Sequence, residues 1–477
     1  MSQNFANETF RNSEPSWANA CVGENGSPDI VDYAAGFANA AQVLLEQVIR
    51  HRGLKHPTDT FVYPICFNMR HAIELYIKAA IESLRPLAHH GYRLPDIDIQ
   101  TSHDIGMLWR YFKEHSVALD WRYKKVIEPL DTAISDFAEV DSTGQVFRYP
   151  FGRENQKHLT ELAIINLLVL WKKFRALVAN LKTLNYQGEF LGEEYRHQTY
   201  TAHLSRFDLA CIGYRLPPRA EWGSEAFEVA KAALRGHFNL SSNEFSRALK
   251  LIEGNIELAA IIDARREFEY LTPAQLNLFF DSWCKIVGID DVKRRYAPGP
   301  EGRAALFDAE VSSASSWSFE EMTADAALRT EIWPTLRDNI SPEAFGEIRA
   351  LHYFSRNSLG HSEDFERERE IAVRDALAAR DAGEARLRQS AFYLMSKPAA
   401  LEHVLNSLLF FGHVDLVDEL LKLNELSATA GALLEPSLRR FRRRRREVSE
   451  AINVELRYPK HERYAVTQLE QQSAANL

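Results

Sequence analysis

The stretch PICFNMRHAIELYIKAAIESL, Pro64 to Leu84, decides the fold class of this chain. Its apolar residues recur every three or four positions, and this spacing places them on one face of an α-helix. That face consists of Ile65, Met69, Ala72, Ile73, Tyr76, Ile77, Ala80 and Leu84. Pro86 follows two residues later and is expected to end the helix. The stretch therefore predicts a long amphipathic helix that packs against others.

The same spacing recurs on both sides of this stretch. It predicts further helices at about 32–51, 103–115, 122–139 and 156–183, whereas alternating, strand-like runs are scarce. We therefore expect an all-α protein that begins with a polar tail over 1–29 and a helical bundle over 30–186. Gly188 and Gly192 interrupt the pattern and predict a boundary within 186–194.

The rest of the chain also has helical periodicity. We predict a middle helical domain over 195–296 and a C-terminal helical domain over 303–470, separated near residue 300 by the segment APGPEG. Within the latter, HVLNSLLFFGHVDLVDELLKL, 403–423, has the form of two helices joined by a glycine turn. Helical hairpins stacked in a solenoid-like array are expected there.

The composition of the chain restricts the partners and the cellular compartment that we expect for it. The chain has 477 residues and a net charge of −9, so contact with nucleic acid would need a local basic patch. The four cysteines are far apart, which favours a reducing compartment and argues against a cysteine zinc site. The polar N-terminus lacks a signal-peptide pattern, and the most apolar run, 162–171, is too short to cross a bilayer. We expect a cytoplasmic protein with no membrane partner.

Motifs for several common chemistries are missing from the sequence. It contains no GxxxxGK[ST], GxGxxG, HExxH or GxSxG, so no nucleotide loop, zinc peptidase or serine hydrolase is predicted. His89 and His90 with Asp96 and Asp98 lack a metal-ligand spacing. We therefore predict neither a cofactor nor a metal, and the remaining classes are metal-free acid–base chemistry and binding.

Three stretches together resemble the HEPN superfamily of bacterial helical bundles. They are FNMRHAIELYIKAAI at 67–81, SHDIGMLW at 102–109 and FRYP at 147–150, the last of which precedes a long apolar helix. The resemblance covers roughly residues 30–185. It implies a helical bundle and, for many members, a metal-independent ribonuclease of toxin or antiviral defence systems with an R-x4-6-H motif. Other members lack the motif and serve as binding or scaffold domains.

Two segments match that motif. GRENQKH contains Arg153 and His158 and is expected to open the last helix of the bundle, although Glu154 would repel a phosphate. RNSLGH contains Arg356, Asn357 and His361 and lies beyond the resembling bundle. Arginine can bind the scissile phosphate, and histidine can transfer the proton.

The second motif allows two structural interpretations. If it is helical throughout, Asn357 and His361 share a face while Arg356 lies about 140° away, so Arg and His would meet a common phosphate across a dimer. Alternatively, Gly360 ends one helix in a left-handed conformation, Ser362 caps the next, and His361 is a loop residue. For GRENQKH the alternative is an ordinary helix start.

The 67–81 helix carries charges four residues apart. Arg70, Glu74 and Lys78 either form a solvated ladder or, with His71 and Arg148, line a groove of the bundle that faces a ligand. His103 beside Asp104 is interpreted as part of a helix start.

A strongly basic segment lies near the C-terminus, SLRRFRRRRREV. Its apolar residues keep helical spacing, which predicts an amphipathic helix with one buried edge. Such a helix can follow nucleic-acid phosphates, or its arginines can be solvated or bind an acidic surface of the same chain. The candidate nucleic-acid-binding residues are Arg439, Arg440, Arg442, Arg443, Arg444, Arg445 and Arg446.

Two functions follow as hypotheses. The first is a metal-independent RNA endonuclease of a defence or toxin system, with RNA as substrate and a homodimer or protein partner. The second is a non-catalytic helical scaffold or a nucleic-acid- or protein-binding adaptor.

Overall fold

The structure is a computed structural model that describes residues 8–88, 92–152, 155–296, 319–357, 359–452, 456–463 and 467. The chain is all-helical, as predicted. Among the described residues the extended pairing consists of one isolated antiparallel bridge between Phe151 and Lys157. The chain divides into two compact units, Met1–Gln198 and Thr199–Leu477.

The described part of the first unit contains five α-helices. Their bounds are α1 Ile30–Arg50, α2 Thr58–Glu82, α3 Ile105–Leu119, α4 Tyr123–Asp141 and α5 Leu167–Arg196. The predicted central helix is confirmed as α2, which packs against each of the other four. Its apolar stripe is fully buried, as Ile73, Tyr76 and Ile77 show. Helix α2 is therefore the centre of this bundle.

The last helix of the bundle differs from the prediction at both ends. It begins at Leu167 because the Asn166 side chain accepts hydrogen bonds from the N–H groups of Leu168 and Val169. It continues to Arg196, so the helix is not interrupted at 186–194, and the first unit ends at Gln198. Gly188 does not break the helix: a Cβ there would collide with the Ser83 hydroxyl. The glycine permits close packing.

The second unit holds the remaining helices. The first group is α6 Arg206–Arg215, α7 Glu225–His237, α8 Ser242–Gly254, α9 Ile256–Ile261, α10 Pro273–Val287 and α11 Ile289–Arg295. The second group is α12 Phe319–Asn339, α13 Pro342–Arg356, α14 Ser362–Asp381, α15 Glu384–Met395, α16 Ala400–Phe410, α17 Val414–Leu423, α18 Ala430–Leu433 and α19 Glu435–Ile452. Two apolar cores hold them together: one joins α6 to α9 with Val448 and Leu456, and the other joins α10 to α19.

The predicted helix pair at 403–423 is confirmed. Helix α16 ends at Phe410, Gly412 adopts a positive φ of 82°, and α17 begins at Val414. Glycine suits this turn because a side chain there would be strained. The boundary predicted near residue 300 falls within 297–318, outside the described residues.

Candidate active site and nucleic-acid interface

The described residues of the RNSLGH motif lie where one helix ends and the next begins. Helix α13 ends at Arg356, Asn357 follows as its C-cap, and His361 precedes α14 as its N-cap. The interpretation as one continuous helix is therefore wrong. The loop interpretation holds in outline with two corrections: Leu359 has the positive φ, 52°, that was expected of Gly360, and the cap is His361 instead of Ser362.

Arg356 lies near His352 and His403, two histidines that belong to neither R-x4-H segment. Its guanidinium is 5.5 Å from the ring centroid of Tyr353. Burial is the main cause that lowers the pKa of His352 to about 3 and that of His403 to about 4, and the charge of Arg356 contributes to both values. Both imidazoles beside Arg356 are therefore neutral at pH 7.

The GRENQKH motif does not open a helix. His158 lies in the irregular segment before α5, and its N–H donates to the carbonyl of Pro150 at 3.1 Å. Arg153 and Glu154 lie outside the described residues, so the predicted pairing of Arg153 with His158 stays a prediction.

The charged side chains of Arg70, Glu74 and Lys78 on α2 are buried. The interpretation of these residues as a solvated ladder is therefore wrong. Arg70 is 2% exposed and donates to Glu74 and to the carbonyls of His103, Asp141 and Ser142. The end of α4 and the segment before α3 supply these carbonyls. Periodicity places Arg70 and Glu74 on one face of α2, but other parts of the bundle cover that face.

Glu74 is the centre of this buried network. Its Oε1 lies 2.8 Å from Lys78 Nζ and 3.0 Å from His103 Nδ1, and its Oε2 binds Arg70 and lies 4.0 Å from His71 Nδ1. Burial raises the pKa of Glu74, but the hydrogen bonds from Lys78 and His103 and the charge of Arg70 outweigh burial, so this pKa lies below its usual value. Glu74 is therefore ionised at neutral pH. We call Arg70, His71, Glu74, Lys78 and His103 the Glu74 site.

Two imidazoles of the Glu74 site reach the surface. The side chain of His103 is 62% exposed and that of His71 is 30% exposed. With its Nδ1 bound to Glu74, His103 keeps its Nε2 for a ligand. Burial lowers the pKa of His71, and the charges of Arg70 and Lys78 lower it further against the opposing effect of Glu74. His71 is therefore neutral at pH 7.

An exposed arginine, Arg148, adjoins His71 through Phe67. The Phe67 ring is stacked with His71 at a centroid distance of 6.0 Å, and the Arg148 guanidinium lies 6.0 Å from the same ring. The three stretches that carry the family resemblance therefore meet here: Arg148 comes from FRYP, His103 from SHDIGMLW, and the other side chains from α2. Asp104 caps α3 as expected, but His103 pairs with Glu74, an interaction that no spacing in the sequence reveals.

The Arg-rich segment forms the amphipathic helix α19, as predicted, with Leu438, Phe441 and Val448 buried. Its arginines divide between two roles. The inward ones join the protein's own charge network: Arg444 pairs with Glu257, and Arg445 binds the carbonyls of Leu456 and Arg457. Arg440 is half-buried.

The outward arginines form a stripe. Four exposed arginines lie on one face of α19, because successive members are three, one and three residues apart. They are Arg439, Arg442, Arg443 and Arg446. Glu435 lies 2.8 Å from Arg442 and 3.6 Å from Arg439, and Glu447 lies 2.9 Å from Arg443. Such exposed pairs are worth about 0.2–1 kcal/mol each, so the stripe can exchange them for phosphates. We call these four residues the arginine stripe.

Comparison with known proteins gives no parallel. No protein-family model matches the chain, and neither a curated protein nor a solved structure matches it. Over the described ranges, no group of three or more His, Cys, Asp or Glu side chains could hold a metal ion. His89 and His90 lie outside those ranges. Within the same ranges, no helix combines the length and the apolar composition that spanning a bilayer requires.

Proposed function

We propose that the chain is a metal-independent RNA endonuclease of the HEPN type whose chemistry takes place at the Glu74 site. The observation that carries this proposal is the hydrogen bond between the buried, ionised Glu74 and the exposed His103. A carboxylate behind an imidazole fixes its orientation and stabilises the imidazolium form, which is the form that donates a proton. General acid–base catalysis of this kind contributes about 10²–10⁴ in rate.

Each exposed group has a role in the reaction. Neutral His71 takes the proton of the ribose 2′-hydroxyl as its oxygen attacks phosphorus. The bond to the 5′ oxygen breaks, and that oxygen takes a proton from protonated His103. Arg148 binds the phosphate, since its guanidinium stays charged throughout. The products are a 2′,3′-cyclic phosphate and a 5′-hydroxyl, and no step requires a metal.

A cleavage assay with matched histidine variants tests this proposal. Labelled RNA is incubated with the full chain in EDTA, and the product ends are identified. We expect His103→Ala and His71→Ala to reduce the rate by about 10²–10⁴. The control is His203→Ala, since His203 is also exposed, at 59%, and also pairs with a glutamate, Glu244 at 2.7 Å, but lies in the other unit.

The outcomes separate the candidate motifs. Equal cleavage by His103→Ala, His71→Ala and His203→Ala would reject the Glu74 site. His361→Ala and His158→Ala are measured alongside, because the catalytic roles of Arg356, Asn357, His361, Arg153 and His158 stay predictions. A homodimer also stays a prediction, and sedimentation in an ultracentrifuge measures it directly.

The arginine stripe favours a second candidate, a nucleic-acid-binding adaptor that does not cleave. Four exposed arginines on one helix face can follow a sugar-phosphate backbone without reading sequence. Replacing all four by glutamine should weaken RNA binding and reduce the slope of log K against log salt by about 0.7 for each phosphate that the variant no longer binds. The control is Arg367→Gln, whose side chain is 70% exposed on α14. An unchanged slope would reject this interface.

A further inference from the structure

A cavity in the second unit has the composition of a small-molecule site. It measures about 300 Å³ and is lined by residues of α13, α14 and α15. Its polar lining includes Arg349, Tyr353, Ser390 and Tyr393. Its apolar lining includes Phe345 and Leu394. Ligand sites typically measure about 300–1,000 Å³ and combine apolar walls with a few polar groups, so this one suits a small ligand.

Three cations surround the two tyrosine rings of this cavity. Arg349 lies 5.9 Å and Arg356 lies 5.5 Å from the ring centroid of Tyr353, and Lys397 Nζ lies 4.1 Å from that of Tyr393. These distances are those of cation–π contacts. Aromatic rings and fixed positive charges therefore occur together at one place on the protein.

The positive charge here is only partly compensated. Arg349 pairs with Asp375 at 3.2 Å, a half-exposed pair that a ligand can displace. In the part of the chain that the structure describes, no carboxylate pairs with Arg356 or Lys397. A hydrogen bond from Lys397 and its charge lower the pKa of Tyr393, and Arg356 contributes to the same effect. The site therefore favours an anion.

We propose that this cavity binds a mononucleotide. The base stacks on Tyr353 and Tyr393, because aromatic side chains bind the face of any base. The phosphate binds Arg349, Arg356 and Lys397, because guanidinium and ammonium groups form charge-assisted hydrogen bonds with phosphate oxygens. A cavity of about 300 Å³ lies at the lower end of the range for small-molecule sites, which suits a ligand the size of one nucleotide. This binding is separate from RNA cleavage at the Glu74 site.

Isothermal titration calorimetry on the full chain tests the proposal. The ligands are AMP, GMP, CMP and UMP, with adenosine and inorganic phosphate as separate arms. We expect at least one mononucleotide to bind with a dissociation constant of roughly 10 µM to 1 mM. Adenosine lacks the phosphate and inorganic phosphate lacks the base, so each should bind at least about tenfold more weakly than the mononucleotide.

Substitutions at two exposed residues test whether the mononucleotide binds at this cavity. Arg356→Ala removes a phosphate ligand and Tyr393→Ala removes a stacking surface, and each should weaken binding about tenfold or more. Both side chains are exposed, which limits the effect on folding. Arg367→Ala, outside the cavity on α14, should bind as the unmodified chain does. The proposal is overturned if no mononucleotide binds, or if Arg356→Ala and Tyr393→Ala both bind as tightly as Arg367→Ala.

Discussion

Glu74 Oε1 and His103 Nδ1 lie 3.0 Å apart, although 29 residues separate them along the chain. Glu74 is 2% exposed on α2, whereas the His103 side chain is 62% exposed just before α3. A buried carboxylate therefore meets a solvent-accessible imidazole at the edge of the bundle. This relationship gives Glu74 two separable effects, one on stability and one on chemistry.

The effect of Glu74 on stability follows from its neighbours. Glu74→Gln keeps the size of the side chain but leaves Arg70 and Lys78 buried without their anion. Breaking a buried ion pair in this way costs about 3–5 kcal/mol, so we expect a lower urea midpoint for the transition of the first unit. Glu114→Gln, on the exposed face of α3, should change stability by less than about 0.5 kcal/mol. Equal midpoints for the two variants would show that the network does not stabilise the bundle.

The lowered pKa of His71 predicts the pH dependence of cleavage. His71 must be neutral to accept a proton, and it becomes protonated as the pH falls through its pKa. Burial and the charges of Arg70 and Lys78 lower the pKa of His71 below the ordinary value of 6.5. The charge of Glu74 raises this pKa, but by less than the other effects lower it. The acidic decline in activity should therefore lie below pH 6.5. NMR titration of the His71 ring measures the pKa independently of activity, and a midpoint at or above 6.5 would contradict this account.

Much of the fold could be predicted from the sequence, because helical periodicity is a local signal. The stripe of α2, the pair α16 and α17 and the buried edge of α19 all follow from apolar spacing. The length of α5 could not be predicted this way. Gly188 carries the same local signal whether it breaks a helix or permits a close approach to Ser83, and only the packed bundle distinguishes the two.

The candidate site could be predicted only in part, because it depends on contacts between distant segments. Spacing placed Arg70, Glu74 and Lys78 on one face but could not show that the carbonyls of Asp141 and Ser142 cover Arg70. The role of Asp104 as a cap is local and was predictable. The pairing of His103 depends on how α2 and α3 pack, which no residue pattern encodes by itself.

The second unit should lose stability in acid through Glu363. This carboxylate binds Arg206 at 2.6 Å and Asn255 at 2.9 Å; burial raises its pKa, but Arg206 and Thr199 outweigh burial and hold the pKa at about 2. Since the ordinary value is 4.5, the folded state gains about 3 kcal/mol from this group above pH 4.5, and the gain disappears as the pH falls toward 2.

Glu363→Gln tests this linkage. The difference in unfolding free energy between the unmodified chain and the variant should be largest near pH 6 and shrink steadily as the pH falls below 4.5. Glu366→Gln serves as the control, because the Glu366 side chain is 42% exposed and lies 3.9 Å from its partner Arg266. A difference that stays constant with pH would contradict the assignment of the lowered pKa to Glu363.

Two glycines of α5 predict opposite effects of the same substitution. A Cβ at Gly188 would collide with Oγ and Cβ of Ser83, so Gly188→Ala should destabilise the first unit by about 1–3 kcal/mol through overpacking. A Cβ at Gly192 would meet no atom within 4 Å, so Gly192→Ala should stabilise the same helix by up to about 1 kcal/mol. Thermal unfolding followed by circular dichroism measures both. Adding Ser83→Gly to Gly188→Ala should restore part of the stability, because it removes the two atoms with which the new methyl group would collide. If Gly188→Ala stabilises the unit as Gly192→Ala does, the close approach of α5 to the end of α2 is wrong.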